Sequence, residues 1–158
     1  MRKILFLFFA LIMFFLISQV HAAEWLSIGK DRLGNELFYD PDTITKLPTG
    51  ITKIWIKGIY STDGKRERIQ ERTKGKLPLE NYDKLNYAME LQEINCGKRE
   101  YRVMAYTDYS SDGSILNKFI VEQQSSVGWE PIPPDSMGEI IDRIVCPPPP
   151  PTSSQKKK

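Results

Sequence analysis

The chain has 158 residues, of which 27% are charged, and its formal net charge is +2. That length suits one domain with a real hydrophobic core. Because the 22 basic side chains are nearly balanced by 20 acidic ones, the sequence does not indicate nucleic acid as a partner.

The first 22 residues have the three parts of a secretory signal peptide. Arg2 and Lys3 are basic, residues 4–17 carry no charge, and Val20 and Ala22 are compact residues at the positions that cleavage requires. A retained membrane anchor is the alternative, but crossing a bilayer takes about 20 apolar residues. We predict cleavage after Ala22 and a periplasmic or extracellular product. Since no cysteine stands directly after the apolar stretch, where a bacterial lipoprotein would be acylated, the product is predicted not to be a lipoprotein.

Cleavage would change the charge of the chain. Without residues 1–22 it carries 20 basic and 20 acidic side chains, and Lys156–Lys158 lie in a tail that begins with the five prolines 147–151. The domain, residues 23–146, is therefore predicted to be mildly acidic. We interpret residues 147–158 as a proline-rich spacer and a disordered, lysine-ended tail.

Three strands are predicted in the first part of the domain, at residues 24–29, 35–39 and 51–62. The third is rich in β-branched and aromatic residues, which favours a strand over a helix. Its alternation places two sets of side chains on opposite faces. These are Ile54, Ile56 and Tyr60 on one face, and Lys53, Trp55, Lys57 and Ile59 on the other.

Residues 63–84 are polar and are predicted to form a mobile loop or a short exposed helix around residues 66–72. Six basic residues lie between Lys65 and Lys76. Such a segment can contact an anionic surface, although most charge runs only solvate a connection. The candidate ligand contacts are Lys65, Arg66, Arg68 and Arg72.

Two long strands joined by a tight turn are predicted at residues 85–109. The turn is placed at 95–98, where Gly97 can take a positive φ. A change in the phase of apolar residues predicts a bulge between Leu91 and Ile94. The second strand has bulky residues of both parities and is therefore predicted to be central in the sheet.

The last part of the domain is predicted to hold a turn at 111–113, a sixth strand at 114–121, an irregular segment at 122–135 and a helix. Ser136 and Glu139 have the spacing of a capping box, in which each side chain bonds to the backbone N–H of the other residue. Apolar residues then recur at three and four positions, which indicates an amphipathic helix. They are Met137, Ile140, Ile141, Ile144 and Val145.

The chain has two cysteines, Cys96 in the hairpin turn and Cys146 at the end of the helix. An even number of cysteines in an exported chain favours a disulfide, and two unrelated buried thiols are the alternative. We predict the Cys96–Cys146 bridge. Closing this loop would stabilise the fold by about 4 kcal/mol in the chain-entropy model.

No catalytic, metal-binding or cofactor-binding residue is predicted. The only histidine is His21, within the signal peptide, and no CxxC pair or phosphate-binding loop is present. A hydrolase built from carboxylate pairs stays open as a less favoured reading. Its candidate acids are Glu90, Glu93, Asp108 and Glu130. The aromatic residues, including Trp25, Trp55 and Trp129, fit core and sheet-face packing better than a binding surface.

An ordered series of short motifs makes the chain resemble the surface-adhesin protein E family from Trp25 to Cys146. The series is Tyr39-Asp40-Pro41-x-x-Ile44, Ile54-Trp55-Ile56-Lys57-x-x-Tyr60, Leu91-x-Glu93-Ile94-x-Cys96-x-x-Arg99-x-Tyr101-Arg102, and Trp129-x-x-Ile132-x-Pro134-x-Ser136-x-x-Glu139 followed by Cys146. The resemblance implies an antiparallel sheet and a C-terminal helix held on one face by a disulfide, here Cys96–Cys146. It also implies a surface protein that binds host matrix and serum proteins.

The predicted fold class is α+β, with about six antiparallel strands and a C-terminal helix disulfide-linked to the central hairpin. The predicted function is a non-enzymatic exported binding module that contacts a protein or an anionic envelope polymer. A structural or assembly component of the bacterial envelope, a homodimer through sheet edges, is the alternative.

Overall fold

The computed structural model describes residues 23–122 and 127–146. The predicted signal peptide and the proline-rich tail lie outside these described residues. The strands are β1 Leu26–Lys30, β2 Glu36–Tyr39, β3 Thr45–Lys46, β4 Ile51–Ile59, β5 Leu85–Asn95, β6 Glu100–Ser110, β7 Ile115–Ile120 and β8 Glu130–Pro131. The helices are α1 Thr62–Lys74 and α2 Met137–Val145, with short 3-10 turns at Pro41–Thr43 and Tyr82–Lys84.

The strands pair antiparallel in one sheet, in the order β1-β2-β4-β5-β6-β7. The two-residue strands β3 and β8 pair with β4 and β6 at its margins. This arrangement confirms the predicted α+β class, the sheet of about six main strands and the C-terminal helix. It also confirms that β6 is a central strand, since β6 pairs with β5, β7 and β8.

The two faces of the sheet differ in what covers them. We call the face that carries Ile54, Ile56 and Ile94 the helix face, because α2 packs there through Ile141 and Val145 in one buried apolar cluster. Helix α1 lies on the same face, as its contacts with β6 described below demonstrate. The opposite face, which carries Lys53, Trp55 and Lys57, is called the open face.

The predicted disulfide is present and fixes α2 to the central hairpin. The Sγ atoms of Cys96 and Cys146 are bonded at 2.08 Å. Beside it, the Arg99 guanidinium forms ion pairs with Glu139 at 3.0 Å and Asp142 at 3.2 Å. The end of the hairpin is therefore joined to α2 by one covalent link and two ion pairs.

The third strand was predicted to be longer than it is, and the helix after it was predicted to be shorter than it is. Strand β4 ends at Ile59, and Ser61 instead caps α1, its Oγ accepting a hydrogen bond from the backbone N–H of Gly64 at 3.0 Å. Of the two readings of residues 63–84, the helix is correct, but it has 13 residues. It is also packed against the sheet, because Gly64 and Arg72 are buried.

The predicted hairpin is correct in extent and wrong in two local details. The positive φ in the turn belongs to Arg99, at 56°, and not to Gly97. The predicted bulge in the first strand is also misplaced. Leu91 pairs with Ala105 and Gln92 with Val103, so the extra residue is Met104 on β6. Along its pairing with β4, strand β5 itself alternates without interruption. Its apolar pattern changes phase because the polar residues Glu90 and Gln92 lie on the helix face, while Glu93 lies on the open face.

The start of α2 is correct, with one change in its capping. The Ser136 Oγ accepts from the backbone N–H of Glu139 at 3.2 Å, as predicted. The Glu139 carboxylate accepts from the N–H of Asp135 at 2.9 Å, one residue before the predicted donor. Asp135 has a φ of 55°, which turns its N–H toward the helix.

Candidate functional site

The four candidate basic residues all lie on α1, but the structure gives them different surroundings. Arg66 is exposed and pairs with Asp63 at 2.7 Å, and Lys65 is partly buried. Arg68 and Arg72 point into the protein, where each meets an aromatic ring. The segment therefore presents Lys65 and Arg66 to a partner more openly than Arg68 and Arg72.

Arg68 binds a carboxylate that the sequence did not single out as its partner. Its Nε and Nη2 donate to Asp108 at 3.2 and 2.9 Å, and its guanidinium lies 4.7 Å above the Tyr106 ring. Asp108 is fully buried on β6 and also accepts a hydrogen bond from Tyr82 at 2.7 Å. This carboxylate joins α1, the segment after α1 and the sheet.

Two further tyrosines surround the other oxygen of Asp108. The hydroxyls of Tyr60 and Tyr106 lie 3.0 and 2.9 Å from Oδ1 and also contact each other. Two hydroxyls supply two protons, so two of these three contacts are hydrogen bonds at any moment. Burial and then the Asp108 charge raise the pKa of Tyr60. Burial, and then interaction with Tyr60 and Asp108, raise the pKa of Tyr106. Both phenols therefore stay neutral donors at physiological pH.

Arg72 is a structural residue in this fold. Its guanidinium donates to the Pro78 carbonyl from Nε at 3.0 Å and from Nη2 at 2.7 Å, and lies 4.3 Å from the Tyr82 ring centroid. These contacts close the chain segment between α1 and β5. Arg72 is buried and uses two of its five N–H donors on this carbonyl, so it is poorly placed to contact a ligand at the surface.

Two of the four acids considered for a hydrolase, Glu90 and Asp108, lie on the helix face of neighbouring strands, since Glu90 pairs with Tyr106 and Ala88 pairs with Asp108. Glu93 lies on the open face and pairs with Lys53 at 3.2 Å and Arg102 at 2.6 Å. Glu130 accepts a hydrogen bond from Tyr101 at 3.1 Å, while Asp108 is bound as described above. Glu90 lies on the helix face and has one hydrogen-bonding partner, the Gln92 amide at 2.7 Å. Glu90 and Glu93 therefore point to opposite faces, as expected from their spacing.

The three tryptophans are partly buried, and none belongs to the buried core. On the open face, the Lys57 ammonium lies 5.6 Å from the Trp25 ring and 4.9 Å from the Tyr87 ring. The Tyr87 and Tyr109 rings stack with centroids 4.7 Å apart. Arg102 lies over Trp129 at 4.3 Å. Aromatic rings and cations therefore contact each other at several places on this face.

Strand β7 ends the strand order of the sheet and is an apolar edge. It pairs with β6 on one side. Ile115, Phe119 and Ile120 are each more than half exposed on it. An edge strand presents backbone N–H and C=O groups that another extended chain can pair with. Among residues 23–122 and 127–146, no second strand pairs with this edge, which also carries exposed apolar side chains.

A cleft of about 730 Å³ separates α1 from the start of α2. Glu67 and Arg68 of α1 line one wall, and Met137 and Ile140 of α2 line the other. A recess of about 130 Å³ extends from its floor into the helix face, and the two share Asn35, Tyr60 and Tyr106. Within the described ranges, no cluster of three metal-ligating side chains is found.

Helices long and apolar enough to span a membrane were also sought among residues 23–122 and 127–146, and none was found.

Comparison with known proteins gives one match. The model of the family described as surface-adhesin protein E matches residues 25–147. The chain belongs to the surface-adhesin protein E family. No curated protein and no solved structure matches it. Membership of this adhesin family and the disulfide are consistent with an exported protein, and the family suggests a surface adhesin.

Proposed function

We propose that this member of the surface-adhesin protein E family is a non-enzymatic exported module that binds a protein through its β7 edge. The observation that carries the proposal is the presence of exposed apolar side chains on both faces of β7, a strand that pairs on one side only among the described residues. An extended segment of the partner would add to β7 as a further strand. The main-chain hydrogen bonds would supply affinity, and contacts with Ile115, Phe119 and Ile120 would supply specificity.

The basic side chains of α1 are a second part of the proposal. Arg66 is exposed and Lys65 partly so, and we propose that they contact acidic groups of the protein partner or an anionic envelope polymer. Arg68 and Arg72 contribute by holding α1 in place, since Asp108 and Pro78 occupy their donors. Cleavage near Ala22 and a periplasmic or extracellular location without a lipid anchor belong to the same proposal.

The proposal is tested with variants of each surface. The measured quantity is the amount of partner protein that each variant recovers from envelope extracts. Phe119→Lys/Ile120→Lys places charge on the edge and blocks strand addition. Leu77→Lys/Leu79→Lys is the matched control, because these side chains are also exposed and apolar but lie outside the sheet. We expect the first variant to lose the partner and the second to keep it. Equal recovery by both would overturn the edge proposal.

The basic contacts are tested separately with Lys65→Gln/Arg66→Gln, compared with Lys74→Gln/Lys76→Gln at the end of the same helix. Neutralising Arg68 or Arg72 would disturb the fold and is avoided. We expect weaker recovery with the first pair, and a smaller difference in high salt. The same recovery with both pairs would remove Lys65 and Arg66 from the account.

The same β7 edge favours one alternative, a homodimer that serves as an envelope assembly component. Two antiparallel β7 strands could pair about a two-fold axis, with the same residues on both sides. Sedimentation equilibrium distinguishes the two functions. A stable dimer that Phe119→Lys/Ile120→Lys dissociates would favour assembly, and a monomer would favour an edge free for another protein.

A further inference from the structure

The recess below the interhelical cleft results from small residues at the middle of the helix face. Gly58 on β4 pairs directly with Ala88 on β5, and Leu37 on β2 pairs with Gly58 from the other side. A Cβ added at Gly58 would lie 3.2 Å from a Leu37 methyl group, so little room for a side chain exists there. Neither helix fills the space above Gly58 and Ala88. The result is a hollow of about 130 Å³ with an apolar side at Leu37, Gly58 and Ala88, which adjoins the cleft through shared lining residues.

Glu90 is the charged residue of this hollow. It lies one row along the sheet, paired with Ile56 on β4 and Tyr106 on β6. Its Oε1 accepts from the Gln92 amide, and its Oε2 has no hydrogen bond to any described residue. The Glu90 side chain is partly buried and lines the hollow. This burial raises the pKa of Glu90, and the Gln92 hydrogen bond only partly offsets it.

Among the described residues, Glu90 forms no ion pair, unlike the neighbouring acids Glu93 and Asp108. Asp108 has Arg68, and Glu93 has Lys53 and Arg102. A charged group in an apolar setting without a counter-ion costs free energy, and such groups are found mainly where a ligand supplies the missing partner. Glu90 is therefore a negative charge that no ion pair within the described part of the chain compensates.

The rim of the cleft is acidic as well. Its cationic residues all have acidic partners: Lys30 pairs with Glu36 at 3.0 Å, and Arg68 pairs with Asp108 and with the rim acid Glu71. Arg32 is mostly exposed and lies 3.6 Å from Glu67. The acids lining the two cavities outnumber these cations. They are Asp31, Glu67, Glu71, Glu90 and Asp135. A cation entering the cleft would therefore meet a complementary charge at the rim and again at the bottom.

We propose that this hollow binds a small primary alkylammonium ion, with the ammonium group on the Glu90 carboxylate and the alkyl chain against Leu37, Gly58 and Ala88. One carboxylate cannot supply the six or more oxygen ligands that Ca²⁺ requires. The volume of the hollow is that of about four water molecules, at roughly 30 Å³ each, which suits a short unbranched chain. The site is separate from the β7 edge, and either can exist without the other.

Titration with pentylammonium and 1,5-diaminopentane tests the proposal, followed by amide chemical shifts and by calorimetry. Pentan-1-ol is the matched neutral ligand, since it has the same chain without the charge. We expect saturable one-to-one binding of both amines, with the largest shifts at Gly58, Ala88 and Glu90. We also expect binding of the alcohol to be at least about tenfold weaker, because charge supplies the specificity.

Three variants of the whole chain complete the test. Glu90→Gln removes the charge at nearly constant volume, and Ala88→Val fills the hollow while leaving the charge in place. Glu80→Gln is the control, because Glu80 is an exposed acid outside both cavities. We expect binding of the amines to weaken at least about tenfold in each of the first two variants and to be unchanged in the third.

Several results would overturn the proposal. They are the absence of saturation by either amine at millimolar concentration, equal binding by Glu90→Gln, equal binding of pentan-1-ol, or shifts confined to the rim acids. Ala88→Val keeps the test valid if Glu90→Gln were to misfold. Loss of the β7-dependent partner in the earlier experiment would leave these outcomes unaffected.

Discussion

Helices α1 and α2 pack on the same face of one sheet, and their sequences have little in common. In α1, Ile69 is the single large apolar residue among 13. In α2, five of nine residues are large and apolar. The apolar side of α2 joins Ile54 and Ile94 in the core, and the disulfide adds a covalent link. Helix α1 is instead held by polar groups that converge on Asp108.

The difference between the helices teaches how each contact tolerates change. Apolar packing is distributed over many atoms, so that one lost methyl group costs little compared with the whole interface. The Asp108 contacts are concentrated on one carboxylate, and its removal leaves Arg68 and three tyrosine hydroxyls without their acceptor. Substitution of Asp108 alone should therefore release α1 from the sheet. Release of α2 should require removal of the Cys96–Cys146 disulfide.

The largest effect is expected from the link itself. Cys96→Ser/Cys146→Ser opens a loop of 50 residues, which costs about 4 kcal/mol in the chain-entropy model. Helix α2 has nine residues and is too short to be stable alone, so it should fray first. Urea unfolding of the variant, with the chemically reduced wild type as control, measures the loss. A change below about 1 kcal/mol would show that apolar packing alone holds α2.

Asp108→Ala comes next, with an expected loss of about 3 kcal/mol. Breaking a buried ion pair by removing one partner typically costs about 3–5 kcal/mol, and the lower figure applies because Arg68 is partly exposed to water. Asp83→Ala, an exposed acid, is the control. Hydrogen exchange should show loss of protection in α1 before the rest of the chain. Unchanged protection of α1 would mean that Asp108 does not anchor it.

The sequence predicted α2 well because an apolar anchor leaves a periodic pattern. The Ser136 cap and the stripe through Ile141 and Val145 follow local rules that depend on neighbours within four residues. The disulfide was also predictable, since the chain offers one pair of cysteines and its first 22 residues predict export. The family resemblance pointed to the same bridge and is now supported by the match over residues 25–147.

The sequence could not predict how α1 is anchored. Arg68 and Asp108 are 40 residues apart, and nothing in either segment marks one as the partner of the other. For the same reason the four basic residues were treated as equal, although two of them are used within the fold. The phase change in β5 was read as a bulge, because an acidic residue on a helix-covered face was not expected. Glu90, the residue behind that misreading, is the centre of the proposed ammonium site.

A smaller effect is expected where α1 begins. A Cβ on Gly64 would lie 1.9 Å from the Asn35 side-chain oxygen, which also accepts from the Ser61 backbone N–H. Gly64→Ala should therefore destabilise by about 1–2 kcal/mol through overpacking, although alanine is the better helix former. The control is Gln70→Ala, an exposed position in the same helix. A double-mutant cycle with Asn35→Ala measures the clash directly, and a coupling energy near zero would contradict it.

Glu90→Gln should give the smallest change, and in the opposite direction. Because burial raises the folded-state pKa of Glu90, its stabilising contribution is complete below its ordinary pKa of 4.5 and is lost as pH rises through the folded value. Glutamine avoids this loss and can also donate to Gln92 Oε1, which accepts no hydrogen bond from any residue that the structure describes. The variant should therefore unfold at higher urea concentration than the wild type at pH 7, and at an equal concentration near pH 4. A variant less stable at pH 7 would show that the Glu90 carboxylate is compensated within the fold, and the reason to assign it a ligand would disappear.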